Sequence, residues 1–235
     1  MLKVEEINVS YGPVQVLERV GFSVGEGECV ALLGSNGAGK TTALKAISGL
    51  LQVGSGSISF LNNSINHLKP GERVRAGLIQ VPEGGSVFPY MTVWENLLMG
   101  ASGQKEAWKI RNRSADRVTR MFPILKDRKN SQARLLSGGE RQMLVLARGL
   151  MALPKLLMVD EPSLGLAPKI LLEIFNALRI LRKEGVTILL AEQNVQLALQ
   201  LADRGYVLEN GKVVMENSSR ELLESDHIRK AYLGL

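Results

Sequence analysis

The sequence predicts an α/β domain with a mixed, largely parallel core sheet, an N-terminal antiparallel β region and an inserted helical region. Three observations predict it. From Leu156 onward, apolar strand-sized runs (Leu156–Val159, Thr187–Ala191, Gly205–Leu208) alternate with helical segments (Pro168–Lys183, Val195–Leu201), the pattern of βα units. A glycine-rich loop directly follows the apolar run Cys29–Leu33 and opens into a helix. From about Thr92 to Arg134 the chain turns charged and helix-forming.

Taken in order, Val4–Val9, Val20–Val24, Cys29–Leu33 and Ser57–Phe60 read as short strands, punctuated by Gly25-Glu26-Gly27 and Gly54-Ser55-Gly56. Thr92-Val93-Trp94-Glu95 has the spacing of a capping box, in which threonine and glutamate each satisfy an orphan amide of a helix's first turn. Glu209-Asn210-Gly211-Lys212 is a two-residue hairpin signal, and Ser218-Ser219-Arg220-Glu221 caps a C-terminal helical tail. One domain is expected over 1–235, with residues 1–87 and 141–235 as core and 88–140 as a helical subdomain.

A chain of 235 residues suits one sizeable domain, and 45% hydrophobic with 22% charged residues excludes extended disorder. No run approaches the ~20 apolar residues of a membrane-spanning helix. The start, Met1-Leu2-Lys3-Val4-Glu5-Glu6, carries acid where a signal peptide has its apolar core, so a cytoplasmic location is expected. The net charge of +6 comes from scattered lysines and arginines, which read as solvated surface without a nucleic-acid-binding stripe. The single Cys29 excludes an intrachain disulfide and reads as core, while His67 and His227 lie far apart in polar surroundings with no zinc-ligand spacing.

Three motifs carry chemistry. Gly34-Ser35-Asn36-Gly37-Ala38-Gly39-Lys40-Thr41, followed by Thr42, matches G-x-x-x-x-G-K-[ST]. Its glycines let successive amides face phosphate oxygens, Lys40 reaches the β- and γ-phosphates, and the Thr41 hydroxyl ligates Mg²⁺. Leu156–Val159 delivers Asp160 and Glu161 at a strand's carboxyl end, where Asp160 can hold the Mg²⁺ shell and Glu161 can polarise a water for in-line attack. In Leu136-Ser137-Gly138-Gly139-Glu140-Arg141-Gln142, Ser137 and Glu140 again have capping-box spacing. That places a second glycine-tipped helix start in the same chain, and two triphosphate cradles are best explained if they meet across a dimer.

In this order the motifs resemble the ATP-binding-cassette ATPases over essentially the whole chain. The resemblance implies a P-loop nucleotide-hydrolase fold and a head-to-tail dimer, with each ATP held between one subunit's phosphate loop and Ser137, Gly138, Gly139 and Glu140 of the other. It also implies that Tyr11 stacks on adenine. Three positions depart from the family pattern. Glu83 stands where most cassettes have a loop glutamine, Gln193 where they have a histidine facing the γ-phosphate, and Ala167 where they have an aspartate. Glu83 can still contact the Mg²⁺ shell, and the Gln193 amide can donate to phosphate.

Val81-Pro82-Glu83, Glu161–Pro168, Ala191-Glu192-Gln193-Asn194, Ala202–Gly211 and Ala231-Tyr232-Leu233-Gly234 are similar to one branch, the LivF-type subunits of branched-chain amino acid importers. That likeness implies a peripheral subunit on the inner membrane face. It would pair with itself or a paralogous ATPase, bind two membrane permeases, and serve an extracytoplasmic binding protein. Urea or short-chain amides are alternative cargoes. A non-transport cassette acting on nucleic acid would usually carry a second cassette or an added basic domain, and an export cassette usually keeps the glutamine and histidine replaced here. A regulator that never turns over is disfavoured by Glu161.

Glutamine does not titrate near neutrality. The rate of ATP hydrolysis should therefore show no limb near pH 6.5 that disappears when His67 or His227 is replaced, which a pH–rate series on both variants would check.

Overall fold

A computed structural model describes residues 1–233. The strands are β1 (Leu2–Tyr11), β2 (Val14–Val24), β3 (Cys29–Leu33), β4 (Ser55–Phe60), β5 (Asn63–Ser64), β6 (Leu78–Val81), β7 (Leu156–Asp160), β8 (Thr187–Glu192), β9 (Arg204–Glu209) and β10 (Lys212–Ser218). The helices are α1 (Lys40–Ser48), α2 (Pro70–Ala76), α3 (Val93–Ala101), α4 (Lys105–Lys109), α5 (Arg111–Met121), α6 (Pro123–Asp127), α7 (Gly138–Met151), α8 (Pro168–Lys183), α9 (Val195–Leu201), α10 (Ser219–Glu224) and α11 (Asp226–Ile228). Among the described residues, no helix is long and apolar enough to cross a membrane.

The larger sheet has six strands in the order β10-β9-β3-β8-β7-β6. β9, β3, β8, β7 and β6 run parallel, and β10 closes one edge antiparallel to β9. Every residue of β3, β7 and β8 is buried, which is why these strands read as unbroken apolar runs rather than alternating ones. The smaller sheet, β2-β1-β4-β5, is antiparallel. Leu2, Val4, Ile7 and Val9 of its first strand bury against Val30 and Leu32 of β3 and against α1. The spacing skips one place between Val4 and Ile7 because β1 bulges there, with Glu6 in the left-handed region at φ 45°. The extra residue returns the apolar side chains to the core face.

The other face of the large sheet is covered by the helical insertion and α7. Val93, Leu97, Val118 and Phe122 share one apolar cluster with Val81, Leu157 and Val159, so the inserted helices extend the sheet's core rather than forming their own. α3 and α7 meet closely: a Cβ at Gly100 would lie 2.1 Å from the Arg148 carbonyl. On the opposite face, buried Arg73 donates to the Ala46 and Ile47 carbonyls at 2.8 and 2.7 Å. A cation there adds charged donors to carbonyls at the negative end of α1.

The helices expected at Pro168–Lys183 and Val195–Leu201 have those bounds. Sequence reading missed β6, a four-residue strand interrupted by Gln80, whose identity comes from its ladder with β7. It also missed α2 and the first half of β2.

The expected hairpin turn is present between β9 and β10, with Asn210 at φ 48° and Gly211 at φ 75°. Its place in the fold adds a second role. The Gly211 amide donates to the Ala38 carbonyl at 3.0 Å, and its carbonyl accepts from the Glu18 amide at 2.9 Å. A Cβ at Gly211 would meet the Val16 carbonyl oxygen at 2.0 Å, whereas Gly165, also left-handed at φ 68°, has nothing within 4 Å. Gly165→Ala should cost about 1 kcal/mol in urea denaturation, and Gly211→Ala about 2–4 kcal/mol because a backbone clash adds to the strained φ. Equal losses would show that the turn yields to the methyl group.

Candidate functional site

The parallel ladder brings four strand ends to one level. Leu33 of β3 pairs with Glu192 of β8, Asp160 of β7 with Ala191, and Val81 of β6 with Val159. The loops beginning at Gly34, Glu161, Gln193 and Pro82 therefore leave a common carboxyl edge, where α/β sheets collect their ligands.

The loop 34–39 is shaped by close approach. A Cβ on Gly34 would lie 2.4 Å from the Leu208 carbonyl, and one on Gly39, at φ 110°, would lie 2.6 Å from Leu17 Cδ2. Gly39 caps α1 with no side-chain hydrogen bond, leaving that helix start to offer its amides and positive dipole end. Lys40 is buried, and its ammonium donates to the carbonyls of Gly34 and Ser35 at 2.7 and 2.9 Å and pairs with Glu161 Oε1 at 3.0 Å. All three of its donors are thus engaged at the loop. Thr42 is buried behind it, Ala38 is buried, and Ser35, Asn36 and Gly37 are exposed at the loop tip.

Thr41 Oγ1 donates to Asp160 Oδ1 at 3.1 Å. Burial pushes the Asp160 carboxyl up to about 6; the Thr41 hydrogen bond and Lys40 oppose the rise, and the charges of Glu161 and Glu83 add to it. An adjoining hydroxyl and electrostatically stressed carboxylate form an oxygen donor set suited to a hard cation such as Mg²⁺. Among the described residues, no three His, Cys, Asp or Glu side chains converge as a protein-only metal cage requires. Phosphate and water would supply the remaining ligands, as is usual for Mg²⁺.

Tyr11, at the end of β1, lines a cavity of about 300 Å³ together with Gly37, Gly39, Lys40, Thr41 and Glu161. Glu161 also borders a second cavity of about 510 Å³, with Ser163, Glu192, Gln193 and Tyr232. Gln193 is exposed there and Glu192 is fully buried beside it. Glu83 is exposed and reaches the site through its charge on Asp160. Ser137 caps α7: its hydroxyl accepts from the Glu140 amide at 3.2 Å, and Glu140 Oε2 accepts from the Ser137 amide at 2.7 Å. Ser137 and Gly138 are exposed, while Gly139 must lack a side chain because a Cβ would lie 2.7 Å from Ile170 Cγ2. None of Ser137–Glu140 lines either cavity.

Two residues here escaped sequence reading. Glu192 accepts from the Ser163 amide and hydroxyl at 3.0 and 2.8 Å and from the Asn194 amide at 3.2 Å. Burial raises its carboxyl above the ordinary value against the pull of those hydrogen bonds. Its signal was an acid ending an otherwise apolar run. Tyr232 donates to Glu209 Oε1 at 3.2 Å, and burial with the nearby Glu209 charge pushes its phenol up to about 12. No spacing pointed to it, and Gly234 of its terminal motif lies outside the described residues. The structural reading of Cys29 is inert core, since burial pushes its thiol up to about 12. His67 and His227 are exposed, the latter beside Glu209.

The ABC transporter family model matches residues 17–164. A high-affinity branched-chain amino acid transport ATP-binding protein, BraG of Pseudomonas aeruginosa, is 46% identical over all of both chains. A probable branched-chain amino acid transport ATP-binding protein, LivF of Archaeoglobus fulgidus, is 38% identical over 100% of this chain and 99% of its own. Among solved structures, a dimeric ATP-binding cassette in a post-hydrolysis state with ADP and Pi superposes with a TM-score of 0.83 at 25% identity, covering 94% of this chain and 99% of that one. A phosphate loop and an Asp-Glu strand end on one sheet edge, and relatives matched from end to end, place this chain in the ABC transporter family as one of its ATP-binding cassettes.

Proposed function

We propose that this chain binds and hydrolyses ATP between two cassettes and so drives uptake of branched-chain amino acids through a membrane partner. The observation that carries the chemistry is the convergence of Lys40, Thr41, Asp160 and Glu161 on one sheet edge, with Lys40 and Glu161 3.0 Å apart. The amides at the start of α1 and the Lys40 ammonium bind the phosphates, and Tyr11 offers its ring to the base at the cavity mouth. Thr41 and Asp160 would hold Mg²⁺, which neutralises charge on the phosphates. Water attacks the γ-phosphorus, its proton passes to Glu161, and the bridging oxygen leaves with ADP. Lys40 and the Gln193 amide stabilise the equatorial oxygens.

Ser137 and Gly138 are exposed and none of Ser137–Glu140 lines either cavity, which supports their use by a second cassette, identical or paralogous. The likeness to branched-chain amino acid transport ATP-binding proteins supports the remaining partners of this reading: two permeases, contacted at the inner membrane face, and an extracytoplasmic binding protein. The groove lined by Gln80, Phe88, Met99 and Arg148 is the surface we assign to a permease, because it exposes two large apolar side chains, Phe88 and Met99, beside the Arg148 guanidinium. The cargo rests on full-length identity to BraG and LivF; nothing in this chain touches it.

Glu161→Gln should retain ATP binding and lower turnover by about 10²-fold or more, because a positioned base is lost. Lys40→Ala should instead weaken nucleotide binding in equilibrium titration, since it removes the buried cation of the cradle. Wild-type turnover in Glu161→Gln would reject the assignment. In cells, that variant should abolish uptake of labelled leucine. Selective loss of urea uptake would keep the mechanism and change the cargo.

A further inference from the structure

Glu161 stands at φ 42°, a left-handed backbone conformation unusual for a residue with a side chain, immediately after β7. Such a conformation persists only where surrounding contacts over-determine it, and here two of them come from the end of the neighbouring strand. The Glu161 amide donates to the Ala191 carbonyl at 2.9 Å. Two residues further on, Ser163 is gripped twice by Glu192, its amide at 3.0 Å from Oε1 and its hydroxyl at 2.8 Å from Oε2. The same Oε2 accepts from the Asn194 amide at 3.2 Å, fixing the residue after Gln193. Glu192 is fully buried, although a buried carboxylate is costly and an apolar residue would suit the buried end of β8 better. Its two oxygens thus tie together the two loops that carry Glu161 and Gln193, which line one cavity.

We propose that Glu192 is a positioning residue for ATP hydrolysis: by gripping Ser163 and the Asn194 amide, it holds Glu161 in its strained backbone conformation and sets Gln193 at a fixed distance from it. This rests on the reading of Glu161 as the base. Both Glu192 oxygens are engaged by Ser163 and the Asn194 amide, so its loss acts on the geometry of the chemical step. The phosphate loop, which supplies most nucleotide contacts, is built from β3 and α1 and stays intact.

The test is a kinetic cycle on the full chain. Glu192→Ala should lower kcat by about 10-fold or more while the Kd for ATP changes by less than about 3-fold, since misplacing a catalytic group by about 1 Å costs up to 10²-fold. In a Glu161→Gln background the same change should alter residual turnover by less than about 2-fold, because a residue that acts through Glu161 has nothing left to position. A merely structural role would lower kcat and raise the Kd together, and its effect would multiply with that of Glu161→Gln; either result overturns the proposal. Should Glu192→Ala fail to fold, Glu192→Gln and Ser163→Ala decide the matter. Glu192→Gln keeps the volume but turns a donor toward the Asn194 amide or Ser163, and Ser163→Ala removes one bond, so each should lower kcat about 3-fold or more at unchanged Kd. Wild-type kcat in both overturns it. Normal turnover in Glu161→Gln alone would instead remove the reading on which the proposal depends.

Discussion

The backbone ladder that holds β3 between β8 and β9 is the constraint on which the rest of the molecule depends. Its five residues are all buried, and it pairs in parallel on both sides. Parallel neighbours in register end at one level, so each strand hands its next residues to the same edge. The phosphate loop then has a floor on one side, the Leu208 carbonyl of β9, and the Glu192 end of β8 on the other. Only glycine fits at Gly34 because that floor is so close. The β9–β10 turn adds a clip to Ala38 from behind. A local hairpin signal thereby becomes part of the support of a distant site.

Charge is the second organising quantity. Asp160, Glu161 and Glu192 are all buried, and one buried ammonium, Lys40, stands beside the first two. Lys40 satisfies Glu161 and two loop carbonyls; Glu192 is satisfied by amides and a hydroxyl. Asp160 has only the Thr41 hydroxyl, and its carboxyl rises to about 6 from the ordinary 3.8. A carboxyl whose folded value lies above its unfolded value favours folding while protonated. That contribution is present below about 3.8 and lost as the pH rises through about 6. At neutral pH the site therefore carries unbalanced negative charge at the place where a cation and phosphates would meet, and binding a cation relieves it.

Much of this was legible in the sequence for identifiable reasons. The phosphate loop and the capping boxes at Thr92, Ser137 and Ser218 are local devices, built from contacts between residues three to six apart, and local spacing records them. β7 and β8 were visible because strands buried on both faces must be apolar throughout. β6 was not visible, since four residues with a glutamine among them have no period of their own and become a strand only by pairing with β7. The bulge at Glu6 was hidden for a similar reason. It resets the alternation of β1 to fit a core that no short window contains.

The chain's sequence by itself determined the chemistry on offer: an ammonium, a hydroxyl, two adjacent carboxylates and a glycine cradle, each placed at the end or start of a predictable element. Only the tertiary structure decided which of them meet. The contacts between Lys40 and Glu161, between Thr41 and Asp160, and between Ser163 and Glu192 join residues 29 to 121 positions apart. Side-chain spacing along a helix or strand reaches a few residues, whereas the alignment of parallel strands sets distances across the sheet. Glu192 therefore read as the first residue after an apolar strand, and it became a tie between two loops once β7 lay beside it.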